Sequence, residues 1–283
     1  MKRKNVFLGI LLSVSLLAAG CGKTPPQQPA AYSNLKEESV RYDLDMLLQT
    51  AGVSDARRSV LFSHVDQMNG VMKPSQLTEG FTEIGQEKYD PYELQDQWME
   101  AYPDFLGYNC RITSFSLLED VLLQVPEAEI PPSTLMLEFD LSALDADNSA
   151  FPDSERKFLT FFSPVSTENT KNVEIHLESV KNAWLDRGIR FEENANISMI
   201  NMFFHMQDGD NDLLYVGHSG VLLPTPDGEL WFLEKLAFQK PYQVVKFADR
   251  RQLQEYLMQK YDLDQGQPVA RPFIMENDRL MKT

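Results

Sequence analysis

Apolar residues recur at helical spacing in the front of the chain and gather into short, dense runs in the back. From Glu37 to about Gln49, Val40, Leu44, Leu47 and Leu48 share one face, which predicts a helix. A second helix is expected to open at Ser54 or Asp55 and to run through Val60, Leu61, His64, Val65 and Met68 to a stop at Gly70. A third, Pro91 to Tyr102, has proline in its first turn and ends before Pro103. Behind them, Leu135 to Leu141, Arg156 to Phe162, Ile197 to Met206, Leu213 to Leu223, Glu229 to Leu236 and Tyr242 to Phe247 are rich in β-branched and aromatic residues. Turn-formers such as Gly209, Asp227 and Gly228 separate them, and they read as an antiparallel sheet. Two helices interrupt it: about Lys171 to Arg187, with Val173, Leu177, Val180 and Trp184 on one stripe and Gly188 as its stop, and about Asp249 to Tyr261.

The first residues follow a different pattern. Lys2, Arg3 and Lys4 precede an uncharged apolar run from Val6 to Ala19, too short for a lasting membrane span and suited to an export signal. The string Leu17-Ala18-Ala19-Gly20-Cys21 resembles the lipobox of bacterial lipoproteins, which implies cleavage before Cys21 and a diacylglycerol on its sulfur. Residues 1–20 are therefore expected to be a signal peptide. Residues 21–34, rich in Pro, Gln and Ala from Lys23 to Ser33, are expected to be an extended, mobile tether. The membrane, reached through this N-terminal lipid, is the first expected partner, and the expected location is the extracytoplasmic face of the cell membrane.

Charge narrows the partners further. The chain carries a formal net charge of -16, and loss of the three signal cations takes it to about -19, which argues against nucleic acid and against a body lying flat on anionic lipid. Once Cys21 is lipidated, Cys110 is the one remaining cysteine, so no internal disulfide forms and stability must come from packing. The histidines and the Asp208 to Asp212 cluster lack metal-ligand spacing, so no metal or other cofactor is expected.

Cys110 lies in Gly107-Tyr108-Asn109-Cys110-Arg111-Ile112. Asn109 is a good N-cap, and Ile112, Phe115, Leu118 and Leu122 form the stripe of the helix that follows. At a helix start, unpaired N–H groups and the positive end of the dipole favour thiolate over thiol. Such a nucleophile needs a base. His64 reads as a packing residue, His176 as helix surface, and His205 equally as the edge of the core or as a functional residue. His218, flanked by Gly217 and Gly220 at the entry to a strand, is the candidate, because glycine there allows close approach of another backbone or a substrate. That strand turns at Pro226-Asp227-Gly228 and returns through Glu234. A three-residue loop of Thr225 to Asp227 would set Glu234 opposite His218, whereas a two-residue Asp-Gly turn would set it opposite Val221.

Tyr-Asn-Cys-Arg at a helix start, Gly-His-Ser-Gly-Val on a strand and an acidic residue on the next strand resemble the papain-like cell-wall hydrolases of the NlpC and CHAP type. The likeness covers about half the chain, from Gly107 to Phe247. Asn109-Cys110-Arg111 stands where the NlpC type has Asp-Cys-Ser. The resemblance implies Cys110 as nucleophile, His218 as general base and Glu234 as the orienting residue. Tyr108 and Asn109 are candidates for substrate or oxyanion contacts, beside the backbone N–H of Cys110. The whole chain is also similar to a family of Gram-positive surface lipoproteins of unknown function.

The expected fold is α+β and papain-like: a helical N-terminal region over residues 35–106, then residues 107–283 as a domain with the cysteine at a helix start, packed on an antiparallel sheet. The expected function is that of a surface lipoprotein acting as a cysteine amidase or peptidase on peptidoglycan stem peptides. The alternative is a non-catalytic binding or envelope-assembly lipoprotein built on the same body.

Overall fold

The computed structural model describes residues 29–128, 133–263 and 266–282. The signal segment, Cys21 and the tether as far as residue 28 lie outside the described residues. The front of the chain forms α1 (Glu38–Thr50), α2 (Asp55–Val71), α3 (Pro91–Ala101) and α4 (Cys110–Leu118). Side-chain caps fix three of these starts: Ser54 accepts from the Arg57 N–H, Asp90 from Tyr92 and Glu93, and Asn109 from Ile112. Helix α2 runs through Gly70 to Val71 instead of stopping there. Strands β1 (Ala31–Ser33) and β2 (Thr82–Glu83) also come from this region. The tether expected to reach residue 34 therefore ends sooner, because Ala31 to Ser33 pair with the sheet and Tyr32 is fully buried.

The middle of the chain corrects two assignments. Residues expected as strands form α5 (Glu138–Ala146) and α6 (Glu155–Phe162). The aromatic richness of α6 suggested a strand, yet Phe158, Phe161 and Phe162 have helical i, i+3, i+4 spacing, and all three meet Phe115 of α4 at 5.6 to 6.3 Å between ring centroids. Helix α5 has Glu138 and Asp140 in its first turn, where carboxylates suit the dipole. Next come β3 (Leu123–Gln124) paired with β5 (Arg190–Phe191), then β4 (Val165–Thr167) and α7 (Val173–Asp186), which ends before Gly188 at φ 71°.

The remaining elements are β6 (Ser198–Asp208), β7 (Asn211–Pro224), β8 (Leu230–Lys235), β9 (Tyr242–Phe247), α8 (Arg250–Tyr261), β10 (Phe273–Glu276) and β11 (Arg279–Leu280). They complete a nine-stranded antiparallel sheet of order β11-β10-β6-β7-β8-β9-β1-β2, with β4 also paired to β7. The sheet is covered on both faces. Val221, Leu223, Leu233 and Val244 join the core beneath α1 to α4, while Leu222, Phe232 and Val245 alternate to the other face, where Leu253 and Leu257 of α8 close over them. Burial on both sides explains why β7 and β8 contain unbroken apolar runs. Among the described residues no helix is long and apolar enough to cross a membrane.

Strand β7 sets up the site. One edge pairs with β6 from Asn211 to Leu222, interrupted at Gly217, and the other pairs with β4 over Asp212–Leu214 and with β8 over Val221–Pro224. Between those partners, residues 215–220 have no strand on that edge among the described residues, and the start of α4 packs there. A bulge falls at the same place: Met202 pairs with His218 and Phe203 with Val216, leaving Gly217 as the extra residue. Gly220 is equally constrained, since a Cβ there would lie 2.2 Å from Phe232 Cζ and 2.9 Å from the Leu233 carbonyl oxygen. We expect Gly220→Ala to lower stability by about 1–3 kcal/mol, measured by urea denaturation, because ring and backbone must move apart. An unchanged midpoint would show that the sheet yields there freely.

Candidate functional site

Two hydrogen bonds fit α4 into the gap on β7, and a third caps the helix itself. The guanidinium of Arg111 donates to the Val216 carbonyl at 2.9 Å, and the backbone N–H of Ser219 donates to the Cys110 sulfur. The third fixes the helix start: Asn109 Oδ1 accepts from the Ile112 N–H at 3.0 Å. Asp140, fully buried on α5, accepts from Asn109 Nδ2 at 2.7 Å and from both Arg111 Nε, at 3.0 Å, and Arg111 Nη2. The start of α4, and with it the cysteine, is thus pinned from two elements, β7 and α5.

Cys110, His218 and Glu234 come together. The thiol is hydrogen-bonded to the His218 ring. His218 Nε2 lies 2.5 Å from Glu234 Oε2, and Nδ1 lies 3.1 Å from the Tyr261 hydroxyl. The hairpin differs from both expected registers. Pro224 pairs with Leu230, so five residues, 225–229, form the loop, and Glu234 reaches the ring diagonally instead of from the directly opposite position. The longer loop closes on itself, with Thr225 N–H donating to Glu229 O and Gly228, at φ 91°, donating to Thr225 O.

The other carboxylate oxygen of Glu234 accepts from Gln243 Nε2 at 2.7 Å and from the Tyr256 hydroxyl at 2.5 Å, with Lys260 Nζ at 3.9 Å. Burial opposes ionisation of this carboxyl, yet Lys260, His218 and Tyr256 outweigh it and hold the pKa down to about 2. His218 shows the reverse balance: burial pushes it down, while the Cys110 charge and hydrogen bond, then Glu234, bring it up to about 9. For Cys110, burial pushes the thiol up, but His218, Arg111 and the Ser219 N–H together bring it below the ordinary range. These shifts favour a thiolate at Cys110 and an imidazolium at His218 beside a carboxylate, which is an arrangement able to attack an electrophilic carbon and then supply a proton.

The side chains of Tyr108 and Asn109, the candidates for substrate or oxyanion contacts, both have partners within the protein. The Tyr108 hydroxyl donates to Asp147 O at 2.8 Å and meets Ser149 Oγ at 3.1 Å, and both polar atoms of the Asn109 amide are engaged as above. The first-turn N–H groups of Cys110 and Arg111 have no intrahelical acceptor and remain the available donors.

The other histidines serve elsewhere. His64 packs on Tyr108 with centroids 4.5 Å apart, and burial lowers its pKa to about 4. His176, expected on the helix surface, is fully buried, bonded to Thr167 at 2.7 Å and to Thr170 O at 2.9 Å. His205 is held by Asp212 at 2.7 Å and by the Ala270 N–H at 3.0 Å. Among the described residues no group of acidic, His or Cys side chains is arranged to hold a metal ion.

Sequence reading missed the shell of the site: Tyr256, Lys260 and Tyr261 on α8, Gln243 on β9, and Asp140. Only Gln243 had a usable signal, since pairing β8 with β9 sets it directly opposite Glu234. The family model of a domain of unknown function, DUF4300, matches residues 31–281, and the chain belongs to that family. No curated protein and no solved structure matches it.

Removing the Asp140 carboxylate should leave the Arg111 guanidinium, mostly buried, without its anion and release the Asn109 amide. Asp140→Ala is expected to cost about 3–5 kcal/mol in denaturant unfolding. A loss under about 1 kcal/mol would mean that Arg111 finds other partners.

Proposed function

We propose that this DUF4300 protein is a cysteine hydrolase of papain-like organisation, held on the outer face of a membrane by lipid at Cys21 and acting on amide bonds of peptidoglycan stem peptides. The observation that carries the hydrolase reading is the chain of contacts from the Cys110 thiol through His218 to the buried Glu234. Its order along the chain supports the papain-like part: cysteine at a helix start, then histidine on a strand, then a carboxylate on the next strand.

In this reading the Cys110 thiolate attacks the carbonyl carbon of the scissile amide. The oxyanion that forms takes hydrogen bonds from the first-turn N–H groups of α4. Imidazolium His218 gives its proton to the leaving amine nitrogen as the C–N bond breaks, leaving a thioester on Cys110. Water, deprotonated by the now neutral His218, then attacks the thioester carbonyl, and the sulfur departs as thiolate while the acid product leaves. Glu234 stays ionised throughout and fixes the ring by its bond to Nε2.

One observation favours the alternative of a binding body without turnover. Cys110 is 6 % exposed, and the Tyr261 ring stacks on His218 with centroids 4.6 Å apart, so a substrate must displace cover to reach the sulfur. Alkylation separates the two readings. Iodoacetamide should modify folded Cys110 at pH 6 to 7 faster than a model thiol of pKa about 8.5, and His218→Ala should abolish the advantage. Peptide cleavage should vanish in Cys110→Ala and fall on the order of a hundredfold in Glu234→Gln. Because His218 is raised to about 9, it keeps its proton through neutrality and loses it as pH rises through that value. Activity should therefore fall on the alkaline side near pH 9. Alkylation that needs denaturant, with no cleavage of stem peptides, would leave the binding reading in place.

The anchor is tested separately. Mature protein should begin at an acylated Cys21 and partition into detergent, and Cys21→Ser should release it to the aqueous phase. Retention of the variant on membranes at the wild-type level would end the lipoprotein reading.

A further inference from the structure

Tyr256 and Lys260 lie one turn apart on α8 and so share a side of the helix. Lys260 Nζ donates to the Tyr256 hydroxyl at 2.8 Å and stands 3.9 Å from Glu234 Oε1. Its ammonium also lies over the rings of Tyr256 and Tyr261, 4.9 and 5.6 Å from their centroids. The Lys260 side chain is 34 % exposed and that of Glu234 is not exposed at all, so the lysine joins this buried carboxylate to the surface.

Donor counting fixes the direction of the bonds around the phenol. An ammonium and an amide nitrogen can only donate. Lys260 Nζ and Gln243 Nε2, the latter at 3.2 Å, therefore both point hydrogens at the Tyr256 oxygen and use its two lone pairs. The one hydroxyl proton is left for Glu234 Oε1 at 2.5 Å, and burial keeps the phenol from ionising. Gln243 gives its other N–H to the same Oε1 at 2.7 Å, while His218 binds the opposite oxygen, Oε2. Tyr89, in the loop before α3, and Tyr261 also feel the carboxylate charge, and burial holds both as neutral phenols. His218 itself faces Cys110 from α4, Glu234 from β8 and Tyr261 from α8. Burial raises the Glu234 pKa, and the Lys260 charge comes first among the influences that lower it. Lys260 and the imidazolium thus compete for one negative charge, and what the Oε1 donors draw off is lost to His218.

We propose that Lys260 and Tyr256 are a pair of positioning residues that temper Glu234: by drawing its charge toward Oε1 they keep His218 able to release its proton. The lysine acts through the phenol, whose hydroxyl it turns onto the carboxylate. The kinetic side of this rests on the hydrolase reading, in which His218 must hand a proton to the leaving amine. A carboxylate stripped of its Oε1 donors would lean on the imidazolium instead, and a more firmly held proton makes a poorer general acid.

The test follows the His218 ring by nitrogen-15 NMR against pH in the full chain, as wild type, Lys260→Met, Lys260→Arg, Tyr256→Phe and the Lys260→Met, Tyr256→Phe double variant. Lys260→Met and Tyr256→Phe should each raise the His218 midpoint by about one pH unit, a tenfold tighter hold on the proton. The double variant should shift it about as far as either alone, because both changes break one chain of bonds. Lys260→Arg, still charged and still only a donor, should restore the wild-type midpoint. In stem-peptide cleavage at pH 7, Lys260→Met should lower kcat several-fold with KM unchanged, and its alkaline limb should move up with the midpoint. A lysine that merely supports the fold would lower the melting temperature and leave the His218 midpoint in place, or let it fall as Glu234 came loose. Either result overturns the proposal, as does a double variant whose shift is the sum of the two. If Tyr256→Phe does not fold, Lys260→Met and Lys260→Arg decide alone. Failure of the hydrolase reading shows separately, as absence of cleavage by the wild type, and the NMR midpoints still decide the role of Lys260.

Discussion

Glu234 is a carboxylate with no exposed side-chain surface, set in the middle of a sheet covered on both faces. An ion in that position is tolerated only when donors replace the water it has lost. Those donors arrive from three directions: His218 from β7, Gln243 from β9, and Tyr256 with Lys260 from α8. Gathering them requires the β7–β8 and β8–β9 registers and the seating of α8 on one sheet face. Compensation of one charge therefore ties together the elements that also orient the imidazole. Tyr256 itself, driven well above the ordinary phenol range by burial and by Glu234, stays a neutral donor.

The second constraint is the unpaired stretch of β7 between β4 and β8. A buried strand edge leaves N–H and C=O groups without partners, and the structure satisfies two of them with α4: Val216 C=O takes Arg111, and Ser219 N–H meets the Cys110 sulfur. The bulge at Gly217 falls between these contacts. The same local defect in the sheet that needs filling thus brings the helix start, and with it the thiol, beside His218. Because Cys110 and His218 each shift the other's ionisation, their titration belongs to the pair.

Much of this frame was legible in the pattern of the chain. The four long runs of the back half became β6 to β9 because their apolar residues fill both sheet faces, and the stripes of α1 to α4, α7 and α8 follow from 3.6-residue spacing. Asn109 as cap and Cys110 as first helical residue were readable from local chemistry alone. Helices α5 and α6 were not, since their aromatic content outweighed their spacing. Strands β1, β10 and β11 are short, and long-range pairing makes them strands. The carboxylate's partners were hidden for a related reason. Tyr256 and Lys260 sit on one side of α8, and only the packing of that helix onto β8 and β9 decides that the side faces Glu234. The hairpin loop was misjudged by two residues, a change that preserves the sheet face and so preserved the contact.

The central claim is the charge state of His218 in the resting protein. Nitrogen-15 NMR of the imidazole, recorded at pH 7.5 and then followed with pH on the folded wild type and on Cys110→Ala, reads that state directly. The account predicts two protonated ring nitrogens in the wild type, because a raised pKa of about 9 keeps the imidazolium above neutrality, and a lower titration midpoint once the sulfur is removed. A neutral tautomer in the wild type at that pH, unchanged in the variant, would contradict it.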